Sequence, residues 1–153
     1  MIDLILYQNY KNNNGEIKEK KYSLKDDFKM RILSYNIGAP EVVTNIIAIP
    51  YSNNYIDLTE VYGSPAYQQR TIIVNVDSIE KTKLWHQYID ELYNLFHGKK
   101  VKAVITSDSE YYYEGRVAIE LDDRDDNLVN KITIKIVANP FKKHYLNDWD
   151  ERL

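Results

Sequence analysis

A change in hydrophobic period near residue 78 constrains the fold more than any other feature of the sequence. In the segment 70–77, apolar residues occupy every second position, which is typical of a β-strand with one buried face. In the segment 79–97, they recur at every third or fourth position, which predicts an amphipathic helix over about residues 79–97. Gly98 follows, where a helix C-terminus most often has glycine. The chain therefore contains strands and a helix in sequence.

Further strands are predicted on both sides of the helix. The segments 101–106, 116–121 and 131–136 each alternate between apolar and polar residues, and 30–37 is a further candidate. Strands with one apolar and one polar face are expected in antiparallel sheets that cover a core on one side. The predicted fold class is therefore mainly β (α+β), with antiparallel sheets and one amphipathic helix.

A β-hairpin is predicted at residues 2–22, around Asn14 and Gly15. An Asn-Gly pair suits a type I′ turn, because both residues tolerate positive φ. Lysines at 18, 20 and 21 allow two interpretations of the return strand. It is either a solvated edge that discourages pairing with other chains, or an arm that reaches a neighbouring subunit.

The segment 41–69 holds the next strand and a long loop. Residues 41–50 are apolar on both faces, which predicts a central or covered strand that ends at Pro50. Residues 51–69 are predicted to form a loop, and a loop of this length usually has a function. The candidate assembly residues lie in the 10–22 hairpin and the 51–69 loop, and they are Asn14, Gly15, Tyr55, Tyr62 and Tyr67.

Composition excludes several classes of protein. The 153 residues suit one domain, and the absence of cysteine excludes disulfides, thiolate nucleophiles and cysteine-ligated zinc. A net charge of −3 argues against a dedicated nucleic-acid binder. The sequence shows no signal peptide and no apolar run long enough to cross a membrane. The 14 tyrosines, large rings with a polar tip, suit an interface or assembly module.

No catalytic, cofactor or metal site is predicted. The three histidines have no metal-ligand spacing, since His86 and His97 lie three turns apart on the predicted helix. The acidic run 122–127 does not fit a calcium loop, because Arg124 stands where a ligand is needed. There is no phosphate-binding or dinucleotide-binding glycine motif. We therefore expect no enzyme, no cofactor and no bound metal.

Three consecutive tyrosines, Tyr111, Tyr112 and Tyr113, allow three interpretations. Tyrosine has high strand propensity, so core and cross-strand packing is one of them. A subunit interface and a platform that stacks on sugars are the others.

Four segments, taken in chain order, resemble the N-terminal domain of siphophage distal tail proteins, also called phage tail component proteins. They lie at 57–70, in the helix and its end at 85–99, at 111–117 and at 132–142, and the resemblance covers about residues 40–145. The matching positions, which the resemblance implies are structural, are Asp57, Leu58, Thr59, Gly63, Arg70, Trp85, His97, Gly98, Tyr112, Tyr113, Gly115 and Pro140.

The chain departs from the family pattern at two motifs and in length. The family often has leucine in place of Phe96, and Asp-Pro-Tyr in place of residues 139–141; both changes roughly keep size and character. Many members continue into a second β-rich domain. We expect 1–143 to be a single ring-forming domain and 144–153 to be a C-terminal tail. The segment after Pro140 is polar and aromatic and is expected to leave the domain. The tail either ends a naturally short member or leads to an absent second domain.

The resemblance implies a structural protein of a phage or prophage tail. It implies an antiparallel β-sandwich with one helix and an extended β-hairpin. Such proteins form a six-fold ring at the distal end of the tail tube, within the baseplate, and link the tube to the tail tip. The implied partners are other copies of the chain, the tail tube protein and a tail-tip or receptor-binding protein. DNA would pass only as transient cargo, no membrane is implied, and the protein would be made in the bacterial cytoplasm and reside in the virion tail.

The residues also leave a second function open. A standalone tyrosine-rich β-module that binds a host glycan or peptide would have the same composition. Such a module would be a monomer with a shallow aromatic groove, whereas a ring protein needs two different surfaces that meet between neighbours. A hydrolase is a third and weaker alternative, since it would require a carboxylate pair in a cleft.

Overall fold

An antiparallel sheet forms the body of the protein. The computed structural model describes residues 2–78, 85–121, 131–147 and 149–153. Within them the elements are β1 (Leu4–Lys11), β2 (Ile17–Ser23), β3 (Met30–Ile37), β4 (Ile46–Ala48), β5 (Tyr55–Asp57), β6 (Arg70–Ser78), α1 (Trp85–Phe96), β7 (Lys100–Ile105), a 3-10 turn (Thr106–Asp108), β8 (Tyr111–Leu121), β9 (Ile132–Ala138), β10 (Lys142–His144) and β11 (Glu151–Arg152).

The main sheet runs β2-β1-β7-β8-β9-β6-β3, and every neighbouring pair is antiparallel. Both ends of this path contribute to one core, in which Leu4 and Leu6 of β1 and Ile72 and Val74 of β6 are buried. The predicted antiparallel β-sandwich fold, mainly β with one helix, is confirmed.

The helix covers this core with one face. Ile89, Leu92 and Phe96 are buried, and Phe96 packs edge-on against Tyr22 with ring centroids 5.3 Å apart. Burial of a side chain of this size contributes about 2–3 kcal/mol. The structure describes the helix from residue 85, so the first part of the predicted helix, 79–84, lies outside the described residues. The acidic run 122–127 lies outside them as well.

Gly115 lies where three strands meet. It is opposite Val101 of β7 on one side and Ala138 of β9 on the other. A Cβ atom at this position would lie 2.3 Å from the carbonyl oxygen of Val137, closer than any real contact. Glycine therefore allows β8 to pair tightly with both neighbours, which explains one of the predicted motif positions.

The segment after Pro140 folds back onto the sheet, so the expectation of a tail that leaves the domain is wrong for the residues described. β10 pairs with the start of β8, with Lys143 opposite Tyr112, and β11 pairs with β10. Strands of two or three residues are too short to show a period, so the sequence pattern gave no sign of this pairing.

Candidate assembly surface

A long hairpin, residues 41–68, leaves the sheet between β3 and β6, and we name it the apolar arm. At its root, the backbone N of Gln68 donates to the carbonyl oxygen of Glu41 at 2.7 Å. Further out, β4 and β5 pair antiparallel, with Ile47 opposite Ile56. This two-stranded sheet is separate from the main sheet.

The apolar arm is exposed over most of its length. None of its residues is buried, and Tyr51 and Tyr62 are as exposed as in an extended chain. A two-stranded hairpin alone is at best marginally stable in water, and contiguous exposed apolar surface marks an interaction site. The arm therefore has the character of a surface that binds another molecule. Its exposed large apolar side chains are Val42, Val43, Ile46, Ile47, Ile49, Tyr51, Tyr55, Ile56, Val61 and Tyr62.

The prediction of a central or covered strand at 41–50 is wrong. Only Ile46–Ala48 forms a strand within this segment, and Ile46 and Ile47, which point to opposite faces, are 54% and 47% exposed. Both faces are apolar as the sequence indicated, but no described part of the chain buries either one. The pattern fits a segment that is covered by a partner.

A polar turn holds the return side of the apolar arm. The Asp57 carboxylate accepts hydrogen bonds from the hydroxyl and the backbone N of Thr59, and these bonds lower the pKa of Asp57. The Thr59 hydroxyl accepts in turn from the backbone N of Asn45, and Leu58 N donates to Asn45 O at 2.7 Å. Gly63, at φ +116°, completes the turn. These motif residues therefore shape the arm.

Four residues fix the root of the apolar arm, and we name them the base clamp. The buried guanidinium of Arg70 donates to the carbonyl oxygens of Gly38 and Pro140, at 3.0 and 3.1 Å, and its Cζ lies 5.4 Å from the centroid of the Tyr113 ring. A buried cation is tolerated because its N–H groups are paired. The clamp joins both ends of the arm to the segment after β9.

The three candidate tyrosines of the arm differ in their surroundings. Tyr67 is half-buried and packs edge-on against Phe141, with ring centroids 5.7 Å apart, so it supports the root. Tyr55 and Tyr62 are 67% and 99% exposed, so they are accessible to a partner. Sequence reasoning missed the isoleucines of the arm, although the run of apolar residues between Pro40 and Pro50 was their signal.

The tip of the N-terminal hairpin, β1 and β2, carries the other two candidate residues, Asn14 and Gly15, and both are exposed. The predicted type I′ turn is wrong, because only Gly15 of the pair has a positive φ, at +80°. The carbonyl oxygen of Asn12 accepts from Gly15 N, and its side-chain oxygen accepts from the backbone N of Asn14 and of Glu16. This is the pattern of a type I turn followed by a glycine bulge.

The motif residues at the end of the helix have structural roles. Gly98 N donates to Val117 O at 2.7 Å, and Ile119 N donates to His97 Nδ1 at 3.0 Å, so both motif residues join α1 to β8. Trp85 is the first residue of α1.

Tyr111, Tyr112 and Tyr113 are each no more than 8% exposed. Tyr111 donates to Asp150, and burial together with this bond raises the pKa of Tyr111. The packing interpretation is confirmed, since none of the three rings presents an open face to a sugar.

The described residues offer no cluster of metal-binding side chains. Within ranges 2–78, 85–121, 131–147 and 149–153, no three metal-binding side chains lie together. No buried side-chain polar atom in the same ranges lacks a hydrogen-bond partner. No helix among them is long and apolar enough to cross a membrane.

Comparisons with known proteins give no match for the sequence but a clear match for the fold. No family model matches the sequence, and no curated protein matches it. The structure, in contrast, matches the crystal structure of SPP1 Dit (gp 19.1), described as a paradigm of the hub adsorption apparatus in phages that infect Gram-positive bacteria. The likeness is one of fold. The TM-score is 0.63 at 13% sequence identity, and the match covers 94% of this chain and 52% of SPP1 Dit.

This chain thus spans about half the length of the SPP1 protein that it matches. The resemblance to siphophage distal tail proteins, which the motifs predicted, is confirmed as a resemblance of fold. In this chain, motif residues lie at a turn of the apolar arm, at the base clamp, at the β8 crossing and at the helix end.

Proposed function

We propose that this chain is a structural protein of a phage or prophage tail. It forms a hexameric ring at the distal end of the tail tube and joins the tube to the tail-tip or receptor-binding proteins. The fold shared with SPP1 Dit, a hub adsorption protein, supports a place in the tail. The observation that supports a contact between subunits is the exposed apolar arm, whose root is held in place by Arg70.

The apolar arm suits a contact between neighbours in a ring. In a cyclic ring each subunit presents one surface to the next subunit and a different surface to the previous one. A protruding hairpin supplies one of these surfaces without disturbing the core. Half-burying a large apolar side chain contributes about 1 kcal/mol, so ten of them offset much of the cost of association, about 4–15 kcal/mol.

The charge of the chain suits a conduit for DNA. The chain has 23 acidic and 20 basic side chains, a net charge of −3. Binding to DNA depends mainly on cations that contact phosphates. A ring with a small negative charge retains passing DNA weakly, which is consistent with DNA as transient cargo only.

Removing the apolar arm tests this proposal. Glu41 and Gln68 are hydrogen-bonded at its root, so a short Gly-Ser link can replace residues 42–67. We expect the unaltered chain to form a ring, seen by light scattering and by electron microscopy, and the armless variant to be a folded monomer. An armless variant of unchanged mass, or an unaltered chain that stays monomeric at millimolar concentration, would contradict the proposal.

A matched deletion in the N-terminal hairpin separates the two protruding segments. Asn9 and Glu19 are paired across this hairpin, so a similar link can replace residues 10–18. We expect the ring to survive this change. If the ring is lost here and kept in the armless variant, residues 10–22 are the reaching element, as the alternative interpretation of the sequence held.

A further inference from the structure

We propose that a basic cleft beside β7 and β8 receives the apolar arm of the next copy of the chain. The inference rests on the proposed ring and goes beyond it, because it names the two surfaces that meet. Four observations carry it: the cleft, its surplus of positive charge, the opposite charge of the arm, and the contacts that this protein makes between cations and tyrosine rings.

The cleft consists of two adjoining depressions of about 380 and 260 Å³. They share Lys100, Glu114 and Arg116, so they form one continuous depression on the outer side of the sheet. The first reaches β1 of the N-terminal hairpin, and the second reaches Gln69 at the root of the apolar arm. The cleft is open and elongated, which suits a hairpin better than a small molecule.

The cleft carries a surplus of positive charge. Lys99, Lys100, Lys102 and Arg116 line it, together with the carboxylate of Glu114. Lys100 pairs with Glu114 at 2.8 Å, and this bond lowers the pKa of Glu114. Glu19, beside the cleft, pairs with Lys102 at 3.4 Å, so two of the four cations keep no carboxylate partner among these residues. Lys99 and Arg116 donate to the carbonyl oxygens of Asn94 and Gly98, which do not neutralise their charge. The lining therefore attracts anions.

The apolar arm carries the complementary charge. Residues 41–68 contain Glu41, Asp57 and Glu60 and no lysine or arginine. All three carboxylates are exposed. Because the arm has no lysine or arginine, no cation of the arm itself neutralises them. Three negative charges on the arm complement a surplus of two positive charges in the cleft, because Lys100 pairs with Glu114 and Lys102 pairs with Glu19. Complementary charges of this kind fix the register of an interface and suppress wrong pairings.

Lysine and arginine also suit the apolar and aromatic character of the arm. Their aliphatic stems cover apolar surface while the charged end stays in water, and their charge is attracted to the face of a tyrosine ring. This protein already uses such contacts, since Lys102 lies 5.1 Å from the centroid of Tyr112 and Lys20 lies 5.0 Å from that of Tyr22. Exposed tyrosines of an incoming arm would find the same partners.

Charge reversal tests the inference. Glu60→Lys on the arm and Lys99→Glu in the cleft should each weaken association about tenfold, because like charges then face each other. The double variant should recover association to within about threefold of the unaltered chain. Sedimentation at low and high salt measures this, and salt should weaken association of the unaltered chain. Lys18→Glu, an equal change outside the cleft, is the control and should have no effect.

The outcomes distinguish this inference from the proposed function. If both single reversals leave association unchanged, or if their losses add in the double variant, the arm docks elsewhere and the inference is overturned. The ring itself then stands as long as the armless variant is monomeric. Melting temperatures of all four variants within a few degrees of the unaltered chain would show that changes in association do not arise from unfolding.

Discussion

The two protruding hairpins of this protein are built in opposite ways. In the N-terminal hairpin, β1 buries Leu4 and Leu6 and pairs with β7, so the hairpin belongs to the main sheet. Its outer part is charged and polar. The apolar arm has no buried residue and no pairing with the main sheet, yet it is the more apolar of the two.

This difference teaches how to interpret apolar strands. In the N-terminal hairpin, the chain itself covers Leu4 and Leu6, and lysines mark the edge that stays in water, with Ile17 and Tyr10 near the tip as exposed exceptions. In the apolar arm, the same residue types lie where the chain covers nothing. Folding therefore accounts for the first pattern, and association with another molecule accounts for the second.

A core truncation in the N-terminal hairpin should have the largest effect on stability. Leu6 is completely buried, so Leu6→Ala should lower the free energy of unfolding by about 3 kcal/mol through lost contacts and a cavity. Urea denaturation measures this. The matched change in the arm, Ile47→Ala, should have almost no such effect. Equal losses at the two positions would remove the distinction between the hairpins.

Loss of the base clamp should have the second largest effect. Arg70→Met removes the donors to Gly38 O and Pro140 O, so two carbonyl groups lose their partners and stability should fall by about 2 kcal/mol. Association should weaken too, because the root of the arm is no longer fixed. Arg70→Lys keeps the charge without the planar fork, and it should recover less than half of the stability. Full recovery with lysine would show that charge alone matters at this position.

Apolar residues of the arm should affect association far more than stability. Ile47→Ser together with Ile56→Ser should change the unfolding free energy of the monomer by less than about 0.5 kcal/mol, since both side chains are about half exposed. The same pair should weaken association at least about tenfold, as expected for the centre of an interface. Light scattering over a dilution series measures this. An unaltered association constant would argue that the arm faces solvent in the assembly.

The smallest effect distinguishes the turns of the two hairpins by pH. The arm turn uses the Asp57 carboxylate, whereas the N-terminal tip uses the neutral amide of Asn12. Because hydrogen bonds from Thr59 lower the pKa of Asp57, its contribution is complete above the ordinary aspartate pKa. It is lost as pH falls through the lowered pKa of the folded state.

Amide hydrogen exchange can follow this difference. Protection of Thr59 N should fall in acid, and protection of Asn14 N, which donates to the Asn12 amide, should not follow the same titration. Asp57→Asn supplies the control, because it should remove the pH dependence at Thr59. A titration at Thr59 that persists in this variant would assign the effect to another group.

Local signals in the sequence predicted much of the fold. The strand at 30–37, the alternation at 70–77 and the helix end at Gly98 appear in the structure because period and capping depend on neighbouring residues. The sequence predicted the position of the turn at Asn14 and Gly15 correctly but its type wrongly. A type I′ turn and a type I turn with a glycine bulge both place glycine at a positive φ, and they differ in loop length.

Contacts between distant residues could not be predicted in the same way. Arg70 and Pro140 both belong to the predicted motif, but nothing local shows that a hydrogen bond joins them across 70 positions. The hydrophobic period also could not show what covers residues 41–50, because an apolar strand has the same pattern whether its own core or a partner covers it. The basic cleft is assembled from β1, β7 and β8, so its charges are scattered in the sequence.

Crosslinking between the apolar arm and the basic cleft tests the central claim most directly. The chain has no cysteine, so Tyr62→Cys on the arm and Asn9→Cys in the cleft introduce the only two thiols. A short bismaleimide should join arm and cleft of successive copies and give covalent multimers up to the closed ring, while each single variant gives no such series. A product that stays at the mass of one chain, with its two thiols joined internally or not at all, would contradict the account.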